Sequence, residues 1–302
     1  MRANSLIEAL PGDFTLTLVD VGSAGGLNKR WRSFAPLLSS VLFDPREPAA
    51  TGEFSRGATR VYPVALGEKS GTAELYLTAL PNMSSFLRPD PKQFARFGRK
   101  QGDAAIVSTE KVAVETLDEL IRRDGFRADV LKVDTQGSEL LVLKGAGEAL
   151  KSTLLAEIEV SFFRRYADQP LFADIEAFMA THGFELIDLL KLKRYRSSNS
   201  LNIRNAGVPK KERSGRVAYG DAIFLRSRET ILSAAKADSG ESLLRAVVAL
   251  VAYGKADIAA QLIDEGEAFL EPGQATAVRK ALKTLPASGG LGGLLGRLLG
   301  KG

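Results

Sequence analysis

Apolar residues crowd into short, dense runs through the first 226 positions and fall into helical spacing after them. Residues 15–21 are β-rich and apolar without clean alternation, the pattern of a strand covered on both faces. The run ends in Gly22-Ser-Ala-Gly-Gly26. Residues 28–38 predict a helix, and 40–43 a second strand stopped by Asp44-Pro45. Residues 60–65 predict a third strand, which Pro63 assigns to an edge. Two more strands are predicted over 73–77 and 107–114. Between them, 81–103 carries three prolines and neither period, so it reads as a long loop. Thr116-Leu-Asp-Glu119 has the capping-box spacing and opens a helix ending near Gly125. The pattern then gives a strand over 130–133 ending at Asp134, a helix over 138–150 and a strand over 154–160. A helix over 171–181 is closed by Gly183, and strands follow over 184–189 and 222–225.

Strands alternating with helices predict a mostly parallel sheet with helices on both faces. The link from 189 to 222 shows no helical period, and a parallel crossover normally contains a helix. The last strand is therefore expected to be antiparallel. Beyond Arg226 only helices are predicted, over 242–253, 256–269 and 274–285. The chain thus divides into an α/β domain over 1–226, a helical domain over 227–286 and a Gly/Leu-rich tail over 287–302. In that tail Leu291, Leu294, Leu295, Leu298 and Leu299 share one helical face, while the glycines disfavour a helix in water. A membrane surface or a groove on a partner protein would supply the apolar cover, through 289–302.

Composition narrows the chemistry. No cysteine is present, which excludes disulfides, thiolate nucleophiles, iron–sulfur clusters and cysteine-ligated zinc. His182 is the single histidine, which excludes a His-rich metal site, and its place at a helix C-terminus reads as a cap. With no apolar run of about 18 residues and no signal-peptide pattern, the expected address is the cytoplasm. The tail allows peripheral contact with the inner membrane surface. The net charge of +5 is uneven: residues 191–216 hold nine bases against one acid. That segment is expected to leave a sheet strand as a loop over a ligand cleft.

Gly22 and Gly26 follow a strand and precede the predicted helix, where backbone can approach a ligand closely. Asp44 lies 22 residues past Gly22 at the next strand end, the place of an acid that holds a ribose diol. The pattern around Asp20 is D-x-G-x-x-G-G rather than the dinucleotide G-x-G-x-x-G. An acid two residues before the first glycine can hold an amino-acid ammonium group. Together these features suggest S-adenosylmethionine.

Val19-Asp20-Val21-Gly22 with Gly26, Phe43-Asp44-Pro45, Ala65-Leu66-Gly67 with Gly71, Asn82-Met-Ser-Ser-Phe86 and Glu115-Thr-Leu-Asp-Glu119 resemble the motifs of the FkbM methyltransferases. The closest likeness is Leu131-Lys-Val-Asp-Thr-Gln-Gly-Ser-Glu-Leu-Leu-Val-Leu-Lys-Gly145. Gln136 stands where that family often has an acid. The resemblance spans roughly 16–225. It implies a class I, Rossmann-like sheet of seven strands with the last antiparallel, and methylation of a hydroxyl on a sugar of a glycan or glycoconjugate precursor. By that resemblance Asp20, Gly22 and Gly26 hold the methionine end, Asp44 the ribose, and Ala65 and Leu66 border the adenine. Ser84 and Ser85 would face the acceptor. Methyl transfer to an alcohol needs a base, and the candidates are Asp134, at a strand end, and Glu157 and Glu159, which share a strand face. Glu139 lies one helical turn past Asp134. Two or three of these acids would suit a divalent cation, although a metal-free site is the preferred reading. Lys210, Lys211 and Arg213 form the expected clamp for a phosphate-bearing acceptor. Two other readings stay open. One is a degenerate methyltransferase fold acting in assembly. The other, disfavoured because Asp134-Thr-Gln-Gly replaces the Asn/Asp-Pro-Pro-aromatic motif, is a nucleic-acid methyltransferase.

Overall fold

The computed structural model describes residues 4–22, 26–50, 55–97, 100–203 and 215–285. They form two compact units, one of residues 16–26 and 39–227, the other of 1–15, 27–38 and 228–302. Lys210, Lys211, Arg213 and the tail 287–302 lie outside the described residues, so the clamp and the tail rest on sequence alone.

The α/β unit is built on ten strands among the described residues: β1 (Leu16–Val21), β2 (Leu38–Phe43), β3 (Thr59–Tyr62), β4 (Ala65–Leu66), β5 (Gly71–Thr78), β6 (Ile106–Glu115), β7 (Val130–Val133), β8 (Leu155–Ser161), β9 (Phe184–Tyr195) and β10 (Arg216–Arg226). Seven make one sheet in the order β3-β2-β1-β7-β8-β10-β9. The pairs β2–β3, β1–β7 and β7–β8 are parallel. β10 is antiparallel to both β8 and β9, as the missing crossover helix implied. β9 therefore runs in the direction of β8.

One face of this sheet is apolar. Val19, Val21, Leu131, Val133, Ala156, Ile158, Ala222 and Phe224 pack with Leu117, Leu120, Val142, Leu143, Ile175 and Met179 from the crossover helices. Burial of this kind stabilises by about 25 cal/mol per Å² of apolar surface. The alternate positions of the same strands carry charge, since successive side chains leave opposite faces. Asp20 lies beside Lys132, Lys132 beside Glu157, and Glu159 beside Asp221.

Four local expectations are corrected. The 28–38 helix is two 3-10 turns, Lys29–Trp31 and Ala35–Leu37, because Pro36 cannot donate to a continuous helix. Asn28 caps the first turn by accepting from the Arg30 N–H at 3.1 Å. The 60–65 strand is interrupted at Pro63: β3 stays at the sheet edge, and β4 joins β5 and β6 in a separate three-stranded sheet. The 81–103 loop contains a 3-10 turn, Pro81–Met83, and helices Pro91–Ala95 and Lys100–Asp103. Pro91 sits at the first helical position, where its missing N–H costs nothing, and Asp90 accepts from Lys92 N–H at 2.9 Å. Finally, β9 continues to Tyr195, so Lys191, Lys193 and Arg194 lie in a strand, not a loop.

The second unit contains helices Arg228–Ala237, Glu241–Ala252, Ala256–Gly266 and Gln274–Thr284. It also takes in chain from the N-terminal side of the boundary expected at 226/227. The Ser5 and Thr284 hydroxyls are 2.9 Å apart, and Trp31 meets Tyr253 edge-on at 5.9 Å. Among the described residues no helix is long and apolar enough to cross a membrane.

Candidate active site

Parallel strands joined by helical crossovers bring their carboxyl ends to one edge, where ligands of such sheets bind. At that edge the α/β unit holds a cleft of about 430 Å³. Gly22, Asp44 and Asp134, which follow β1, β2 and β7, line it with Glu159 of β8. Residues 80–86 and the paired strands β9 and β10 complete the lining, the latter with Lys191, Lys193, Tyr195, Tyr219 and Asp221.

The strand ends are zipped together by backbone. Gly22 N–H donates to Phe43 O at 2.9 Å, and Asp134 N–H to Val21 O at 3.0 Å. Gly22 has φ +82°, and a Cβ built there would come within 2.0 Å of Asp134 O. Only glycine fits both the conformation and the space. Asp44 is buried at the cleft wall, with Oδ1 accepting from Arg46 N–H at 2.9 Å. Phe43 stacks on Tyr62 at 5.0 Å, and Ala65 and Leu66 are buried beside it in the lining. Gly22, Asp44, Ala65 and Leu66 thus come together on the lining of one cleft.

Asp20 and Gly26 do not join them on the lining. Asp20 is buried and accepts from Lys132 Nζ at 2.8 Å. Burial pushes its carboxyl pKa up, against the pull of the Lys132 ammonium. Gly26 is exposed with φ +79°, and nothing lies within 4 Å of its would-be Cβ.

Further carboxylates gather at the same cleft. Gln136 Nε2 donates to Asp134 Oδ1 at 3.0 Å and to Glu159 Oε2 at 2.5 Å. Arg165, buried, donates from Nη2 to the other Glu159 oxygen at 3.0 Å and to Ser161 Oγ at 3.1 Å. Burial and the neighbouring Asp134 raise the Glu159 pKa well above the ordinary value, with Arg165 opposing. The Arg165 guanidinium lies 4.3 Å from the Tyr219 ring centroid, in cation–π geometry. Glu139 Oε1 accepts from Thr135 N–H at 3.0 Å and Gly137 N–H at 2.9 Å, and so shapes the turn after β7. Burial lifts its pKa to about 7.

Glu157 is buried and off the cleft lining; its Oε1 accepts from Lys191 Nζ at 3.1 Å. Lys191 Nζ also lies 2.6 Å from Asp221 Oδ2. Lys191 has φ +49° at an irregularity in the β9–β10 register, and such a bulge re-aims a side chain. Burial raises the Asp221 pKa to about 6, although Lys191 works against it. Among the described residues no group of three or more acids or histidines has the geometry of a metal site.

Ser84 and Ser85 line the cleft, but their hydroxyls are used within the protein. Ser85 Oγ donates to Gln136 O at 2.8 Å and accepts from Leu87 N–H at 3.0 Å, while Ser84 Oγ accepts from Thr78 N–H at 3.2 Å. Tyr166 OH donates to Met83 O at 2.9 Å. These bonds fix residues 82–87 over the strand ends. Sequence reasoning missed Arg165, Lys191, Tyr219 and Asp221. The period-2 series Lys191, Lys193, Tyr195 was the available signal, had the strand been extended past 189.

The fold is mixed α/β, with a seven-stranded, mostly parallel sheet and a cleft at the carboxyl edge of its parallel strands. Residues 40–186 match the family described as the Methyltransferase FkbM domain. Over that stretch, just under half of the chain, the sequence is similar to the FkbM methyltransferases. A crystal structure of a methyltransferase FkbM from Methylobacillus flagellatus KT is similar at 15% identity and a TM-score of 0.34. The alignment covers 70% of this chain and 44% of that one, so this chain spans less than half the length of that structure. No curated protein matches the sequence.

Proposed function

We propose that the protein is an S-adenosylmethionine-dependent O-methyltransferase on a class I, Rossmann-like fold, with a saccharide hydroxyl as acceptor. The observation that supports this most is Gly22 set directly against Asp134 O, with Asp44, Asp134 and Glu159 lining the same cleft. Glycine at 22 lets the ends of β1 and β7 close up at the cleft, and Gly22, Phe43, Asp44, Ala65 and Leu66 share its lining, so the residues fit the cofactor. Gly22 would take its methionine end along backbone, Asp44 the ribose, and Phe43, Ala65 and Leu66 the adenine. Asp20, occupied with Lys132, would support the turn from behind. When bound, the cofactor supplies an electrophilic methyl group.

The chain's own residues supply position and proton transfer. Asp134, at the β7 end and beside Gly22, would accept the acceptor's hydroxyl proton. Gln136 holds the Asp134 carboxylate in place, and Arg165 ties Glu159 away from that duty. Glu157, under Lys191, steadies the acceptor wall. Carboxylates that accept hydroxyl hydrogens, with Tyr195 and Tyr219 alongside, suit a polyhydroxylated acceptor. Lys210, Lys211 and Arg213 would add a phosphate-bearing group to that acceptor, such as one carried by a glycan precursor.

Calorimetric titration of the full chain with S-adenosylmethionine is the first test. Micromolar binding is expected. Absence of binding would refute the enzyme and leave an assembly module. With methyl transfer established on a saccharide panel, Asp134→Asn should retain cofactor affinity and lose at least 100-fold in kcat, about 2.7 kcal/mol. Wild-type turnover in that variant, with loss in Glu159→Gln, would move the base to β8.

A further inference from the structure

Gln136 is a non-glycine residue at φ +57°, in the left-handed region where such residues are uncommon and cost energy. The strain has a local return. From that backbone position one amide nitrogen reaches two carboxylates, Asp134 Oδ1 at 3.0 Å and Glu159 Oε2 at 2.5 Å. The NH₂ of an amide carries two hydrogens, one for each acceptor. It is the nitrogen that must face them, because an amide oxygen there would confront two anions. The backbone is held as firmly as the side chain: Gln136 O accepts from Ser85 Oγ at 2.8 Å.

Two carboxylates converging on one point repel each other unless a proton, a cation or a donor lies between them. For the neighbouring carboxylates the donor is a cation: Arg165 serves the outer Glu159 oxygen, and Lys191 serves Asp221 and, behind the lining, Glu157. Between Asp134 and Glu159 the position is taken by a neutral amide. Burial raises the Glu159 pKa well above its ordinary value; Arg165 opposes the rise and the neighbouring Asp134 adds to it. A hard divalent ion takes carboxylate oxygens at such a convergence. In this chain it would meet the two N–H hydrogens of Gln136 instead.

We propose that Gln136 is a positioning residue whose amide occupies the place of a cation between Asp134 and Glu159, so that a carboxylate at residue 136 would turn the convergence into a divalent-cation site. The inference rests on the bond geometry and not on the methyl-transfer reading.

The test uses the full chain and Mn²⁺, followed by electron paramagnetic resonance of the free ion and by calorimetry. Wild type, Gln136→Glu, Gln136→Gly and the double variant Gln136→Glu/Glu159→Gln are compared, with far-ultraviolet circular dichroism as the check on folding. Gln136→Glu should bind one Mn²⁺ at least 10-fold more tightly than wild type, with competition by Mg²⁺. The double variant should lose that gain. Gln136→Gly removes the amide and relieves the positive φ. It should gain at least threefold over wild type, and it decides the question if the glutamate variant does not fold. Two results would overturn the proposal: folded variants that gain no Mn²⁺ affinity, or a wild-type protein that binds Mn²⁺ as tightly as Gln136→Glu and loses it in Asp134→Asn. S-adenosylmethionine affinity is measured on the same samples, so failure of the cofactor reading is seen separately.

Discussion

Gly22→Ala probes the join between the two central strands of the sheet. The added Cβ would lie 2.0 Å from Asp134 O and 3.0 Å from Asp134 C, both backbone atoms with no rotamer to yield. A carbon–oxygen contact normally needs ~3.3 Å, so the ends of β1 and β7 would have to part by more than about 1 Å. That movement stretches the Asp134 N–H bond to Val21 O and the Gly22 N–H bond to Phe43 O. Alanine at φ +82° costs about 1–2 kcal/mol, and a buried group left unpaired costs about 1–3 kcal/mol more. The sum, ~2–5 kcal/mol, corresponds to a fall in Tm of about 5–15 °C for a unit of this size. Circular-dichroism melting measures it, and calorimetry should show at least a 10-fold loss of S-adenosylmethionine affinity. Gly26→Ala is the control. It has φ +79° and nothing within 4 Å, so only the conformational cost of about 1–2 kcal/mol applies. Equal melting of the two variants would refute the steric part of the reasoning. A Gly22→Ala protein with wild-type Tm and cofactor affinity would refute all of it.

Asp44→Ala should weaken S-adenosylmethionine binding by about 1.5–3 kcal/mol through loss of a charged hydrogen-bond partner. Equilibrium titration checks it, and unchanged affinity would remove Asp44 from the ribose site. Glu139, with a pKa of about 7 in the fold against the usual 4.5, favours its protonated form when folded. Its stabilising share is therefore present below about pH 4.5 and lost as pH rises through about 7. Glu139→Gln can keep the bonds accepted by Oε1, and it should gain up to about 3 kcal/mol on wild type at pH 8. Melting curves from pH 5 to 8 with identical slopes in the two proteins would contradict this.

The parallel core was legible because strands covered on both faces are dense apolar runs, and 130–133 and 154–160 fall almost on β7 and β8. The same density hid the polar face. Asp20, Lys132 and Glu157 sit singly within apolar strands, and only the register across three strands shows that they are neighbours. Gly22, Asp44 and Asp134 were readable because each immediately follows a strand, where the fold class places ligands. The acceptor wall was not. Asp221 and Glu159 meet through an antiparallel register set by a hairpin whose link has no local signature, and Lys191 reaches Asp221 and Glu157 by a bulge. Ser84 and Ser85 illustrate the opposite limit. Their position was readable, but their hydroxyls bond to Thr78, Leu87 and Gln136, partners that a linear motif does not reveal.

β9 forms one margin of the seven-stranded sheet and bonds to β10 alone, while β7 is bonded on both sides. Opening β9 sacrifices one ladder, already interrupted by its bulges. Opening β7 would break two ladders and uncover the apolar face beneath. The wall carrying Lys191, Lys193 and Tyr195 therefore hangs on one backbone ladder, together with the Tyr195 ring contacts and the Lys191 ion pairs. The wall carrying Gly22 and Asp134 hangs on two. Under the methyl-transfer reading proposed above, the acceptor side of the cleft would hang on fewer ladders than the cofactor side, so the two would not have to let go together.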